Sequence, residues 1–153
     1  MINKKIIKYK ALELSKNGKL RIVKKKLSTS KPYAKMLYCG VCGTDKHAIR
    51  GSLKLKLPQI MGHENVGIAN GRRVTWPTIL PCGKCKNCKQ GMFNICEKNQ
   101  LFGITTKKPM AGGFAEYTPL PKNILLFEIP NDIDSDVAVL IETMASTKAL
   151  NRV

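Results

Sequence analysis

Cys82-Gly-Lys-Cys85-Lys-Asn-Cys88-Lys-Gln-Gly-Met-Phe-Asn-Ile-Cys96 is the stretch from which the rest of this chain is read. It is rich in Lys, Asn and Gly and has almost no apolar side chains to bury, so something other than a hydrophobic core must order it. Four thiolates spaced by two, two and seven residues can close a tetrahedral shell around Zn²⁺. The expectation is a lobe over residues 81–98, stapled by a structural zinc on Cys82, Cys85, Cys88 and Cys96. Iron–sulfur runs also begin Cys-x2-Cys-x2-Cys, but they continue with three residues and Cys-Pro. Here the gap is seven residues and Glu97 follows.

On both sides of this lobe the pattern is β. Lys5 to Leu12 and Leu20 to Val23 alternate Ile, Leu and Val loosely with Lys around a turn at Asn17-Gly18. Ala34 to Tyr38 is a third strand, and Val66 to Ala69 and Arg73 to Trp76 flank Asn70-Gly71, a dipeptide whose tolerance of positive φ favours a tight hairpin. After the lobe, Phe114 to Thr118 and Asn123 to Phe127 are further strands. Val137, Leu140, Ile141 and Met144 then recur at helical spacing behind a cap at Ser135 or Asp132. Many short strands with turns between them predict a barrel or sandwich.

The chain has 153 residues, 43% hydrophobic and 24% charged, which suits one domain and not two layered domains of about 100 to 150 residues each. Lys and Arg number 27 against 10 Asp and Glu, a formal charge of +17 that invites an anionic partner. Residues 116–153 do not share it, with three basic side chains against six acidic ones. Only five of the basic residues are Arg, and they lack the interleaved aromatics of a base-stacking surface, so a solvated lysine coat is preferred to a nucleic-acid face. The alternative function is a non-catalytic, zinc-stabilised basic module that binds nucleic acid or an acidic protein. No run approaches the roughly 18 apolar residues of a membrane span, and Met1 to Lys10 never opens into the apolar centre of a secretory signal. A cytoplasmic protein with its six Cys kept as thiols, and no membrane partner, is expected.

A second constellation is spread along the chain: Gly40-Val-Cys42-Gly-Thr44-Asp45 with His47, Gly62-His63-Glu64, and Glu142. One thiolate, one imidazole and one carboxylate form the kind of donor set that leaves a fourth zinc position open to water or substrate.

Taken in order, Cys42-Gly-Thr-Asp, Gly62-His-Glu, the four-Cys lobe and Gly112-Gly-Phe-Ala-Glu-Tyr117 resemble the zinc-containing medium-chain alcohol dehydrogenases, from about Lys8 to Val153. The resemblance implies a mostly β fold with short helices, a GroES-like β-barrel catalytic domain over residues 1–136. A helical segment over residues 137–153 would lead towards a nucleotide-binding domain. That Rossmann domain is absent here, for no G-x-G-x-x-G turn opens a βαβ unit in this sequence. It implies two zincs per chain, one structural and one catalytic. Cys42 and His63 would hold the catalytic ion, Glu64 would be an adjacent or exchanging ligand, and Glu142 would be a third ligand as in polyol and glucose dehydrogenases, although Thr143 stands where Pro is usual. Thr44 would take the alcohol's proton and His47 would pass it to water.

The same resemblance implies NAD or NADP as hydride acceptor and a small alcohol, polyol or sugar as substrate, with no nucleic-acid partner and a homo-oligomeric intact enzyme. The chain would be a truncated dehydrogenase, or one half of a split one that meets a separate nucleotide-binding polypeptide; no residue here is assigned to the nucleotide. Two features depart from the family. Gly67 to Val74 is a short link with Arg72 where Asp is usual, which would loosen the barrel. Cys39 lies outside both sets, as a buried free thiol or as half of a Cys39-x2-Cys42 knuckle or redox pair.

Overall fold

The alternation of apolar residues with Lys near the start of the chain becomes a long hairpin. β1 (Ile6–Leu14) and β2 (Leu20–Ser28) pair antiparallel from Ile6↔Ser28 to Leu14↔Leu20. Gly18, at φ 75°, and the bond from the Ser15 amide to the Lys19 carbonyl, 2.9 Å, close the turn. The computed structural model that shows this describes residues 5–104 and 110–148.

Next come β3 (Tyr33–Gly40), α1 (Gly43–Ile49), β4 (Gln59–Ile60), β5 (Glu64–Ala69), β6 (Arg72–Thr75) and β7 (Ile79–Leu80). They are followed by α2 (Lys86–Lys89), a 3-10 turn at Phe93–Ile95, β8 (Gln100–Leu101), β9 (Tyr117–Pro119), β10 (Phe127–Glu128), α3 (Ser135–Ala138) and α4 (Ile141–Lys148). Among the described residues they form three sheets, β2-β1-β4, β10-β6-β5-β3-β9 and the ribbon β7-β8. The first two are stitched together at Ala11↔Ala115, flanked by the Leu12 amide on the Phe114 carbonyl at 2.8 Å and the Glu116 amide on the Lys10 carbonyl at 3.0 Å. The expected mostly β, barrel-like architecture is the one observed.

Among the described residues the core divides into four small clusters. Trp76 and Phe102 meet edge to face, centroids 5.6 Å apart, among Ala34, Ala69, Val74 and Leu120. Tyr9, Ala11, Leu27 and Ile60 form a second; Leu14, Ala48 and Met61 a third under α1; Val66, Ile129 and Ala138 a fourth under α3.

Three expectations change. The short link to Val74 does not loosen the sheet: Asn70 at φ 51° and Gly71 at φ 75° form a two-residue turn, and β5 pairs with β3 on one side and β6 on the other. Asn123 to Phe127 is not a strand. The Ile124 amide turns back onto the Pro121 carbonyl, Ile124 and Leu126 pack on the Trp76 cluster without a ladder, and pairing starts only at Phe127↔Thr75. The helix beyond residue 132 breaks in two. Asp134, not Ser135 or Asp132, is the N-cap, and Ala138, Val139 and Ile141 face Val66 while Val137, Leu140 and Met144 stay exposed. The chain turns at Val139 and Leu140 between the two pieces. Residues 149–153 of the expected helical segment lie outside the described residues. Among the described residues no helix is long and apolar enough to cross a membrane.

Candidate metal centre

Antiparallel pairing between β3 and β5 builds the first cluster. Gly40 lies opposite Glu64, so Cys42, just past the end of β3, comes round to His63, just before the start of β5. A β-bulge between Met36 and Tyr38 sets this register, shifting the end of β3 by one residue against β5. Ligand atoms of Cys42, His63 and Glu64 lie within 4.8 Å of one another. His63 and Glu64 are buried and Cys42 is half-buried at the head of α1.

Asp45, which the sequence reading quoted but gave no role, organises this cluster. Its Oδ2 accepts the Cys42 amide at 2.9 Å, and its Oδ1 faces His63 Nδ1 at 3.8 Å, both of these atoms buried and without a hydrogen-bond partner. Burial pushes the Asp45 carboxyl above its usual range and Glu64 adds to the rise, against the opposing pull of the Cys42 amide and His63. A buried imidazole with one nitrogen turned towards a carboxylate, here 3.8 Å away, leaves its other nitrogen for a metal. On that ground the donor set fits a zinc ion.

The other expected residues distribute around it. Thr44, half-buried, has its hydroxyl 3.7 Å from Cys42 Sγ, and His47 is exposed three residues on in α1. Glu142 lies outside the group of three; its Oε1 accepts the Thr78 hydroxyl at 2.9 Å, while Thr143 Oγ1 donates to Glu64 Oε1 at 3.0 Å. A cleft of about 450 Å³ lined by Thr78, Asn94, Phe127, Ile141 and Glu142 opens there. A larger cleft, about 660 Å³, sits at the Tyr33 end of β3 and holds none of these donors. Cys39 is a half-buried free thiol that belongs to neither metal group; it points at Asn65 Oδ1, 3.5 Å away, and burial pushes its pKa well up.

The second cluster is the lobe. The ligand sulfurs of Cys82, Cys85, Cys88 and Cys96 are mutually within 4.8 Å, with Cys82 to Cys88 and Cys85 to Cys96 both 3.9 Å apart. Bonds of about 2.3 Å to a tetrahedral zinc require sulfurs about 3.8 Å apart, so the cage has the size of the ion. Amides of Lys84 and Cys85, each 3.4 Å from Cys82 Sγ, bring that thiol down to about 6, and amides of Cys88 and Glu97 lower Cys85. Burial and the neighbouring thiols push Cys88 up to about 12, the contrary shift that crowded sulfurs show before a cation balances them. Met92, Phe93 and Ile95 are all exposed, so no apolar core orders the lobe.

The fold is a partial antiparallel barrel that carries two groups of side chains able to hold a metal ion, a four-sulfur cage and a separate Cys/His/Glu set. The chain belongs to the alcohol dehydrogenase GroES-like domain family, whose model matches residues 33–131. It is 32% identical over 127 residues to an L-threonine 3-dehydrogenase of Pyrococcus furiosus, covering 73% of this chain and 35% of that protein. It is 31% identical over 130 residues to a probable D-xylulose reductase A of Aspergillus clavatus, covering 75% of this chain and 35% of that protein. Among solved structures, the rspB alcohol dehydrogenase of Escherichia coli CFT073, complexed with the cofactor NADH, superposes with a TM-score of 0.77 at 28% identity, covering 88% of this chain and 42% of that one. The chain therefore spans about a third of the length of the curated relatives it matches. These relatives are dehydrogenases and lend nothing to the nucleic-acid alternative.

Proposed function

We propose that this chain is the zinc-bearing catalytic domain of an alcohol or polyol dehydrogenase, with the nicotinamide cofactor, NAD or NADP, held by polypeptide outside these residues. The observation that carries the reading is the convergence of Cys42, His63 and Glu64, three donor types from two distant segments, beside the Thr44 hydroxyl. A zinc ion held by Cys42, His63 and Glu64 would supply Lewis acidity, which lowers the pKa of an alcohol. Asp45 holds the start of α1 through the Cys42 amide and turns its other oxygen towards His63. Thr44 accepts a hydrogen bond from the substrate hydroxyl and relays by passing its own hydroxyl proton on as it takes the substrate's. Exposed His47, one helical turn further along α1, accepts that proton and releases it to solvent. A nicotinamide cofactor, when bound, would supply the hydride acceptor for the substrate's carbinol carbon. Glu142, tied to Thr78 in this arrangement, stands by as an exchange ligand.

In this reading residues 1–136 form the catalytic domain, with residues 81–98 as its structural zinc lobe, and residues 137–153 run towards the nucleotide-binding partner. Exposed Val137, Leu140 and Met144 support that role, as an apolar patch suited to being covered. The partner is the continuation of the same chain or a separate polypeptide, and the assembled enzyme is a cytoplasmic homo-oligomer; six free thiols suit that compartment. The test is the visible spectrum of the cobalt(II)-substituted chain on addition of a simple alcohol or polyol. A spectral change with alcohol, lost in Cys42→Ala, is expected; a spectrum indifferent to every alcohol would overturn the proposal.

A further inference from the structure

Two consecutive residues of α4 are tied to the His63–Glu64 segment, Thr143 directly and Glu142 through the Thr78 hydroxyl. Thr143 Oγ1 donates to Glu64 Oε1 at 3.0 Å. Next to it, Glu142 Oε1 accepts the Thr78 hydroxyl at 2.9 Å, and that same hydroxyl lies 3.2 Å from the carbonyl oxygen of His63. The Glu64 carboxylate has little freedom on its other side. Gly40 lies opposite it in the register, and a Cβ there would run into Glu64 Oε2.

α4 has little else to hold it. None of its residues is buried, and its apolar contribution to the core is the half-buried Ile141. A helix so thinly packed is expected to open locally with ease unless specific bonds tie it down. The Thr143 bond is therefore a large part of the attachment of α4, and it ends on a carboxylate that belongs to the Cys42, His63 and Glu64 cluster.

We infer that Thr143 is a positioning residue that clasps the Glu64 carboxylate beside Cys42 and His63, coupling metal binding in that cluster to the docking of α4 on β5. This rests on the reading of those three residues as metal ligands. Without the clasp the glutamate side chain must be ordered by the ion alone, and the affinity for the ion falls. Reciprocally, an ion that fixes Glu64 strengthens the hold on α4.

The test compares the zinc-loaded chain with Thr143→Val, which keeps the shape and loses the hydroxyl, and Thr143→Ser, which keeps the hydroxyl. Each is dialysed against graded zinc–chelator buffers and its residual zinc counted; the release step missing in Cys42→Ala belongs to this cluster. Thr143→Val should release that zinc at roughly ten-fold or more higher free zinc than the unaltered chain, with Thr143→Ser close to unaltered. The circular dichroism of the sheets, unchanged from that of the unaltered chain, reports that the variant is folded. Hydrogen exchange of residues 141–148 should slow on zinc loading in the unaltered chain and in Thr143→Ser, but not in Thr143→Val. Unchanged release and unchanged exchange in Thr143→Val overturn the clasp, as does a Thr143→Ser that falls as far as Val. If Cys42→Ala keeps every release step, the ligand reading itself fails, an outcome distinct from failure of the clasp.

Discussion

Asp45 shows what single residues disclosed and what they withheld. Cys42, His63 and Glu64 were legible because thiol, imidazole and carboxylate are rare enough that an ordered set of them has few meanings. Asp45 was spelled out in the same Gly-Thr-Asp run, yet its work depends on where its two oxygens point, one at the Cys42 amide and one at His63. Its spacing of three from Cys42 at a helix start was the available signal. Thr78 offered none, since its partners are 15 and 64 residues away. Glu13 was also invisible as a feature: it is buried, yet it accepts bonds from Arg21 Nη2 at 2.7 Å and Lys25 Nζ at 2.8 Å. Burial alone would raise its pKa, but the Lys25 and Arg21 bonds outweigh it and hold the carboxyl below its ordinary 4.5. A lowered folded-state pKa contributes stability that is complete above 4.5 and is lost as the pH falls through the lowered value. Glu13→Gln should therefore cost about 2 kcal/mol at neutral pH and much less in acid. Chemical denaturation at both pH values measures this, and an equal cost at the two would contradict it.

At the scale of elements, legibility followed local chemistry. Asn70-Gly71 announced its hairpin because the turn needs two positive φ values that few other dipeptides accept. The bulge near Leu37 was hidden, although the convergence of Cys42 with His63 hangs on the register it sets, because nothing in a run of apolar and basic residues marks one of them as extra. The α3–α4 break was hidden too. Periodicity shows that apolar residues share a face, not whether that face is covered, and here Val137, Leu140 and Met144 are not. The lobe was legible for the opposite reason, its lack of anything to bury. Because exposed Met92, Phe93 and Ile95 give it no core, its order should depend on the metal. Stripping the metal with a strong chelator should raise hydrogen exchange across residues 82–96 to that of an unfolded segment and leave the β1–β2 and β3–β5 amides protected. Persistent protection of the lobe without metal would contradict this.

For the molecule as a whole, composition proved the weakest guide. The +17 charge pointed to anions, while the family, read from motif order and matched over residues 33–131, is one of dehydrogenases. The barrel supplies a rigid seam in which two strands bring donors from residues 42 and 63–64 together, and a detached lobe supplies its own cage. Two cages of different chemistry in one chain make a claim about stoichiometry. It is tested most directly by counting zinc, by elemental analysis, in the purified chain and in Cys42→Ala and His63→Ala. Two zinc ions per unaltered chain and one in each variant, with the circular dichroism of the sheets unchanged, is the result expected from the two clusters. One zinc in all three, or two in all three, would mean that Cys42 and His63 hold no metal between them.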